Sequence, residues 1–190
     1  MRIIAGEHRG RRLASVGKGD RGAHLRPTAD RVRESLFSAL VSGYDDPISG
    51  AIVLDIFAGT GALGLEALSR GAAHVTFVEN GRTGQGLISE NIALLRVETV
   101  TRLVRRDARR LGRCEGKPAD LVFLDPPYGK SLGEEALAAA LAGGWVAQGA
   151  LLVWEDNAEI TPPSGTDVLD KRRYGETVIT LLRADAHQES

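Results

Sequence analysis

The sequence predicts one α/β domain built on a doubly wound, mostly parallel sheet. Three observations lead there. From residue 51 onward, short unbroken apolar runs alternate with helical segments, the pattern of strands buried on both faces and joined by helical crossovers. Two of these runs pass directly into glycine-rich or proline-rich loops, the first holding Gly59, Gly61 and Gly64 and the second Pro126 and Pro127. The last two apolar segments are joined through a turn at Tyr174-Gly175. A parallel return needs a crossover of a dozen or more residues, so the chain must end on an antiparallel strand pair.

The elements follow in order. The first two dozen residues are rich in Gly and Arg, with β-like pieces at 2–5 and 12–16, and read as a small basic β-hairpin extension over 1–24. Arg26-Pro27-Thr28 leads into a helix. Thr28 is placed to cap it, and Val32, Leu36, Phe37, Leu40 and Val41 share one face. Residues 45–50 form a turn-rich connector. Strands are expected at 51–54, 75–78, 101–104, 121–124, 151–154, 168–169 and 177–182, and helices at 62–70, 86–95 and 134–141. The main domain is assigned to 25–184, with a frayed tail at 185–190.

The chain has 190 residues, 43% hydrophobic and 26% charged, which suits an ordinary globular domain with a real core. Its single cysteine, Cys114, excludes an internal disulfide and a cysteine-built zinc site, and fits a reducing cytoplasm. His8, His24, His74 and His187 have no metal-ligand spacing, so no metal is expected. The start carries no apolar stretch of signal-peptide length. Residues 136–154 hold no charge and are nominally long enough to span a membrane, but they are Ala- and Gly-rich and broken at Gly143-Gly144. They read as helix, turn and buried strand, with no membrane partner.

Net charge is −1, unevenly spread: residues 1–33 hold nine Lys/Arg against three Asp/Glu, and the remainder fifteen against twenty-two. A basic arm on an acidic body suits a polyanionic partner engaged by one end, or a solvated tail with no partner.

The run Asp55-Ile56-Phe57-Ala58-Gly59-Thr60-Gly61-Ala62-Leu63-Gly64 sits at the carboxyl end of the first core strand and opens a helix, where open α/β sheets bind ligands. Gly59 and Gly61 let backbone approach a ligand, and Gly64 lets the helix pack near the strand. Glu79, ending the second strand, is placed to accept from two ribose hydroxyls. The spacing also matches the dinucleotide fingerprint G-x-G-x-x-G with an acid 20 residues on, which keeps an NAD-dependent oxidoreductase in view. Against NAD, Asp55 suits the ammonium of a methionine moiety and is awkward beside a pyrophosphate. Asp107, after the third strand, could accept from an adenine amine. No second domain is present to hold a hydride acceptor. The loop points to S-adenosylmethionine.

Asp125-Pro126-Pro127-Tyr128 follows directly on the 121–124 strand. Two prolines lack the N–H groups that pairing needs, so the segment becomes a stiff loop displaying Asp125, the Pro126 carbonyl and Tyr128. An exocyclic amine of a base is a poor nucleophile because its lone pair is delocalised into the ring. Two acceptors gripping its two N–H bonds would localise that pair, and Tyr128 offers a face for the base to stack on, worth ~1–3 kcal/mol. Such a site serves guanine-N2 or adenine-N6 methylation. A non-catalytic RNA-binding assembly factor would explain the arm but would need neither loop.

The runs D-x-F-A-G-T-G-A-L-G-L-E-A-L-S-R-G-A at 55–72 and D-P-P-Y at 125–128, with M-R-I-I-A-G-x-x-R-G-R-R at 1–12 and R-P-T-x-D-R-V-R-E-S-L-F at 26–37, resemble those of bacterial RsmD-type 16S ribosomal RNA (guanine-N2) methyltransferases. The likeness spans nearly the whole chain. It implies a class I S-adenosylmethionine-dependent methyltransferase fold (Rossmann-like, with an antiparallel C-terminal strand). It also implies methylation of a guanine N2 amine in 16S ribosomal RNA, in the small ribosomal subunit or an assembly intermediate, by a cytoplasmic protein taken as a monomer. Carried across, Asp55, Phe57, Gly59, Gly61, Glu79 and Asp107 become cofactor positions, and Asp125, Pro126 and Tyr128 the target-amine site. Arg9, Arg11, Arg12 and Arg26 become phosphate contacts. An aspartate at 125 argues against a protein-glutamine methyltransferase, which usually has asparagine there. One departure is the glycines at 81, 84 and 86, which weaken the expected helix start. Arg105, Arg106, Arg109, Arg110 and Arg113, around Asp107, read as a solvated basic face.

Overall fold

The computed structural model describes residues 1–15, 30–127 and 132–185. Seven strands form one sheet in the order β3-β2-β1-β4-β5-β7-β6. In chain order the elements are α1 (Asp30–Gly43), β1 (Ile52–Ile56), α2 (Ala62–Ser69), β2 (His74–Val78), α3 (Arg82–Leu95), β3 (Thr101–Val104), β4 (Ala119–Leu124), α4 (Leu132–Ala142), β5 (Val146–Asp156), β6 (Thr166–Tyr174) and β7 (Thr177–Ala184). Strands β1 to β5 pair in parallel, and β7 runs antiparallel between β5 and β6. This is the doubly wound class I methyltransferase architecture expected from the sequence.

The apolar runs form central strands because alternate residues feed two cores. Val53 of β1, Phe77 of β2 and Phe123 of β4 face the core shared with α1, α2 and α3. Leu54, Val78 and Leu124 face the other, closed by α4 and Trp145. Between β3 and β4 the crossover holds only a short 3-10 turn, Ala108–Arg110, whose Ala108 joins the second core. The uncharged stretch at 136–154 divides into α4, a turn at Gly143-Gly144 and β5, and among the described residues no helix is long and apolar enough to cross a membrane.

Three details differ from the sequence reading. Helix α3 begins at Arg82, four residues before the expected start at 86, and β5 and β6 are longer than the apolar runs that announced them. Val41 is exposed on α1, while Arg33, polar by type, is fully buried on that helix. Its guanidinium lies 3.2 Å from Asp30, one helical turn away, but it also donates to the Arg2 carbonyl and lies 3.8 Å from Glu66, two partners distant in sequence that no periodicity argument finds.

The N-terminal segment doubles back through a single antiparallel bridge, Arg2 to Arg12. Ile3 and Leu13 are buried in the first core, so the described part of this segment is packed onto the body. The proposed hairpin boundary at 24 and the Thr28 cap lie outside the described residues.

Candidate active site

Main-chain hydrogen bonds stitch the carboxyl ends of β1 to β4 together. Ala58 N–H donates to the Val78 carbonyl at 3.1 Å, Glu79 N–H to Val104 at 3.1 Å, and Asp125 N–H to Ile56 at 3.4 Å. Asp55, the loop after it, Glu79 and Asp125 therefore share one edge of the sheet. That edge includes the gap where chain order reverses between β1 and β4, the usual ligand crevice of such folds.

The loop is held in a shape that few residues tolerate. Gly59 and Gly61 have φ of 57° and 77°, and Phe57, at 61°, takes the same left-handed region despite its bulk. A strained aromatic at a strand end points to a functional constraint. Gly64 serves as expected: an added Cβ would lie 2.5 Å from the Phe77 ring and 2.7 Å from Val75. Its N–H donates to the Asp55 carboxylate at 2.9 Å.

Asp55 is 2% exposed, and burial pushes its carboxyl up to about 7 against the pull of the Gly64 N–H, with Glu79 adding a smaller upward push. A buried carboxyl poised in this way gains most from a cationic partner. The Glu79 carboxylate is aimed by backbone, one oxygen accepting from Gly59 N–H at 2.9 Å and the other from Gly81 N–H at 2.6 Å. Each oxygen keeps a lone pair for a further donor.

Gly84 explains the glycines that weakened the expected helix start, and sequence reasoning missed it. An added Cβ there would lie 2.9 Å from the Glu79 side chain and 2.9 Å from the Gly59 carbonyl. The position must be bare for the acid and the loop to meet. Gly84→Ala should therefore weaken cofactor binding by about tenfold or more, since overpacking costs ~1–3 kcal/mol. The gain in helix propensity, ~1 kcal/mol, should offset part of that cost in global stability. Calorimetric titration beside a thermal melt checks both, and undiminished affinity would refute the role given to Gly84.

At the end of β4, Asp125 is half-buried, Pro126 buried and Pro127 exposed. Burial, then the negative charges of Glu155, Asp55 and Asp156, hold the Asp125 carboxyl well above its ordinary range. Tyr128 and Arg26 lie outside the described residues.

Asp107 stands beyond β3 with its carboxylate engaged by Arg109, which donates from its backbone N–H at 3.0 Å and its guanidinium at 2.7 Å. The Arg109 hydrogen bonds hold its pKa below the usual carboxylate range. Two of the neighbouring arginines are thus part of local structure: Arg109 pairs with Asp107 and with Glu135 at 3.5 Å, and Arg106 donates to the Leu111 carbonyl. Arg9, Arg11 and Arg12 are exposed on the N-terminal segment. Among the described residues no group of three or more His, Cys, Asp or Glu side chains could hold a metal ion.

A family model described as Conserved hypothetical protein 95 matches residues 1–183. The ribosomal RNA small subunit methyltransferase D of Escherichia coli K12 is 37% identical over 193 residues, covering 100% of this chain and 93% of the relative. The chain belongs to this methyltransferase family. The enzyme of the same description from Haemophilus influenzae is 37% identical over 177 residues, covering 90% of this chain and 88% of its own. The solved chain YhhF of E. coli superposes with a TM-score of 0.83 at 38% identity, covering 98% of this chain and 99% of that one.

As a member of the family the protein is an S-adenosylmethionine-dependent methyltransferase. The strand-end edge fits such a cofactor: a glycine cradle without room for a Cβ at 84, and three acids in succession at Asp55, Glu79 and Asp107. An elongated nucleoside bearing an ammonium, a ribose diol and an adenine amine offers donors in that same order.

Proposed function

We propose that the protein transfers a methyl group from S-adenosylmethionine to the exocyclic N2 amine of a guanine in 16S ribosomal RNA of the small subunit. One observation carries this reading. The Asp125-Pro126 loop is tied to the end of β1 by the Asp125 N–H, one strand from the glycine loop, so acceptors for an amine stand beside a cradle for a methyl donor. An oxidoreductase would leave the Asp125 loop without work, and a non-catalytic assembly factor would need neither feature. The names carried by the E. coli and H. influenzae relatives support RNA of the small ribosomal subunit as substrate.

Asp55 holds the cofactor ammonium, Glu79 the ribose hydroxyls, and the bare backbone around Gly59 and Gly61 lets the nucleoside lie close, with Phe57 shaping the loop. Asp107, oriented by Arg109, takes the adenine amine. When bound, the cofactor supplies a sulfonium-activated methyl carbon. Asp125 and the Pro126 carbonyl accept the two N–H bonds of the target amine and aim its lone pair, and Tyr128 stacks on the base. Asp125, with its raised pKa, takes the proton lost from nitrogen. In-line positioning offers ~7–11 kcal/mol of the barrier when the geometry is good.

The exposed Arg9, Arg11 and Arg12, joined by Arg26, contact phosphates of the RNA, and the protein acts as a cytoplasmic monomer on a subunit or an assembly intermediate. Replacing Arg9, Arg11 and Arg12 together with alanine should lower RNA affinity at least tenfold near physiological salt. It should also reduce the slope of log affinity against log salt by about two units, since each phosphate contact on single strands contributes ~0.7. Cofactor affinity should not change. An unaltered salt slope would remove the arm from the RNA interface.

The whole reading is tested by incubating the protein with radiolabelled S-adenosylmethionine and small subunits that lack the modification, then identifying the labelled nucleoside. N2-methylguanosine is expected. N6-methyladenosine would correct the base while keeping the amine chemistry, and no label on subunits, naked RNA or DNA would overturn it.

A further inference from the structure

Asn91, on α3, is a polar side chain with no solvent exposure, and its one carboxamide serves two distant segments. Its Nδ2 donates to the Thr60 carbonyl at 2.9 Å, inside the glycine loop. The same nitrogen donates to the Ala14 carbonyl at 3.2 Å, and Oδ1 accepts the Ala14 N–H at 2.7 Å. Asn91 thus pairs with the Ala14 peptide as a neighbouring strand would, while fixing a carbonyl between Gly59 and Gly61. Both amide hydrogens and the oxygen are used, so one side-chain orientation serves both segments.

The arm is also held at its other end by the helix that the glycine loop opens. Glu66 of α2 accepts from Ile4 N–H at 2.8 Å and Ala5 N–H at 3.1 Å. Ser69 donates its hydroxyl to the Ala5 carbonyl at 2.6 Å and accepts from His8 N–H at 2.9 Å, while its carbonyl accepts from Glu7 N–H at 2.8 Å. Arg9, Arg11 and Arg12 therefore lie on a span clamped at residues 4–8 by α2 and at residue 14 by Asn91. The buried Asn91 amide thus joins that span to the Thr60 backbone, beside a weaker contact from the Thr60 hydroxyl to the Met1 sulfur at 3.9 Å. The Asn91–Thr60 bond is fully buried, where an unmade bond costs most, and the others are partly so.

We propose that Asn91 is a positioning residue that couples the two binding sites, so that RNA held by the arm and cofactor held by the glycine loop each tighten the binding of the other. This rests on the reading above that the arm engages RNA and the loop engages S-adenosylmethionine. It differs from a purely electrostatic arm, which would add RNA affinity and leave cofactor affinity untouched. By linkage the coupling is reciprocal, and couplings of this kind amount to about 5- to 150-fold in affinity.

The test uses Asn91→Asp, nearly isosteric, which keeps the acceptor for Ala14 N–H and loses both donors. Binding of radiolabelled S-adenosylhomocysteine is measured by equilibrium dialysis with and without saturating unmodified small subunits. Wild-type protein should bind it at least about fivefold more tightly with subunits present. In the variant that ratio should fall to near one, while RNA affinity stays within severalfold. A merely structural asparagine would lower the melting temperature and leave the ratio intact, which overturns the proposal. Should the variant fail to fold, hydrogen exchange on the wild type decides. S-adenosylhomocysteine should slow exchange in residues 9–15 as well as 57–61, and protection confined to the loop overturns the coupling. Wild-type protein that binds both ligands independently overturns this inference alone. Wild-type protein that fails to bind one of them overturns the underlying reading and this inference with it.

Discussion

Asp125→Ala is expected to slow methyl transfer by about 10³-fold while S-adenosylmethionine affinity stays within severalfold, because positioned acceptors and proton-transfer groups each contribute ~10²–10⁴. Asp125 follows β4, and Asp55 and Glu79 are held by the Gly64 and Gly59 N–H groups rather than by Asp125, so its removal should affect kcat more than cofactor affinity. Asp125→Asn keeps one oxygen but brings an N–H₂ group and loses the charge, and should recover little of the rate. The pH dependence has a definite sign. Burial and the charges of Glu155, Asp55 and Asp156 raise the Asp125 pKa, and only the ionised form accepts both an N–H bond and the departing proton. The single-turnover rate should fall on the acid side through that raised value, and the acid limb should vanish in the asparagine variant. Single-turnover kinetics with saturating cofactor from pH 5.5 to 9 measure this. Full activity in the alanine variant would remove the proposed mechanism.

The second large effect runs in opposite directions for stability and function. Asp55→Asn should raise the melting temperature at pH 8 and weaken S-adenosylmethionine binding by about 10²-fold or more, the loss of a buried charge-assisted hydrogen bond. The Asp55 carboxyl is pushed from 3.8 to about 7, chiefly by burial, so the folded chain holds its proton more tightly than the unfolded chain does. Stability from this source is complete below the unfolded pKa and is lost as pH rises through about 7. The ionised carboxylate thus costs about 4 kcal/mol at alkaline pH, at 1.36 kcal/mol per pKa unit. Asparagine is neutral and keeps an oxygen for the Gly64 N–H, so it should relieve most of that cost, about 2–4 °C per kcal/mol in a chain of this size. A bound ammonium offsets the same cost in the native enzyme. Cofactor affinity should therefore rise with pH up to about 7 and then level off, and the variant should show no such rise. Scanning calorimetry and titration at several pH values decide it. Unchanged affinity would separate Asp55 from the cofactor ammonium, and a lower melting temperature would overturn the cost assigned to its burial.

The layout of the candidate site's two loops was legible in the sequence because its constraints are local. A glycine loop after an unbroken apolar run, and two prolines after another, are statements about φ, missing side chains and missing N–H groups at adjacent residues. The structure places both loops at one edge of the sheet, as the strand-loop pattern implied. Gly84 was legible only as an oddity, since its necessity lies in Glu79 and Gly59, across the turn and across the loop. Asn91 gave no signal at all. Within α3 it is one polar residue among several, and its importance comes from Thr60 and Ala14, 31 and 77 positions away. The arm read as a basic appendage because charge is visible in composition, whereas the burial of Ile3 and Leu13 is not.

By itself, then, the sequence determined the alternation of strands and helices, the two strand-end loops, the antiparallel finish and the residue types available for chemistry. Periodicity, turn dihedrals and donor counts are properties of neighbouring residues. Only the tertiary structure decided that β7 inserts between β5 and β6, that one short turn replaces a crossover helix between β3 and β4, and that Arg33 is buried beside Glu66. It also decided that Asn91 joins the arm to the glycine loop. Each of these is settled by which distant groups satisfy one another's hydrogen bonds and charges once water is excluded, and that choice exists only in the folded chain.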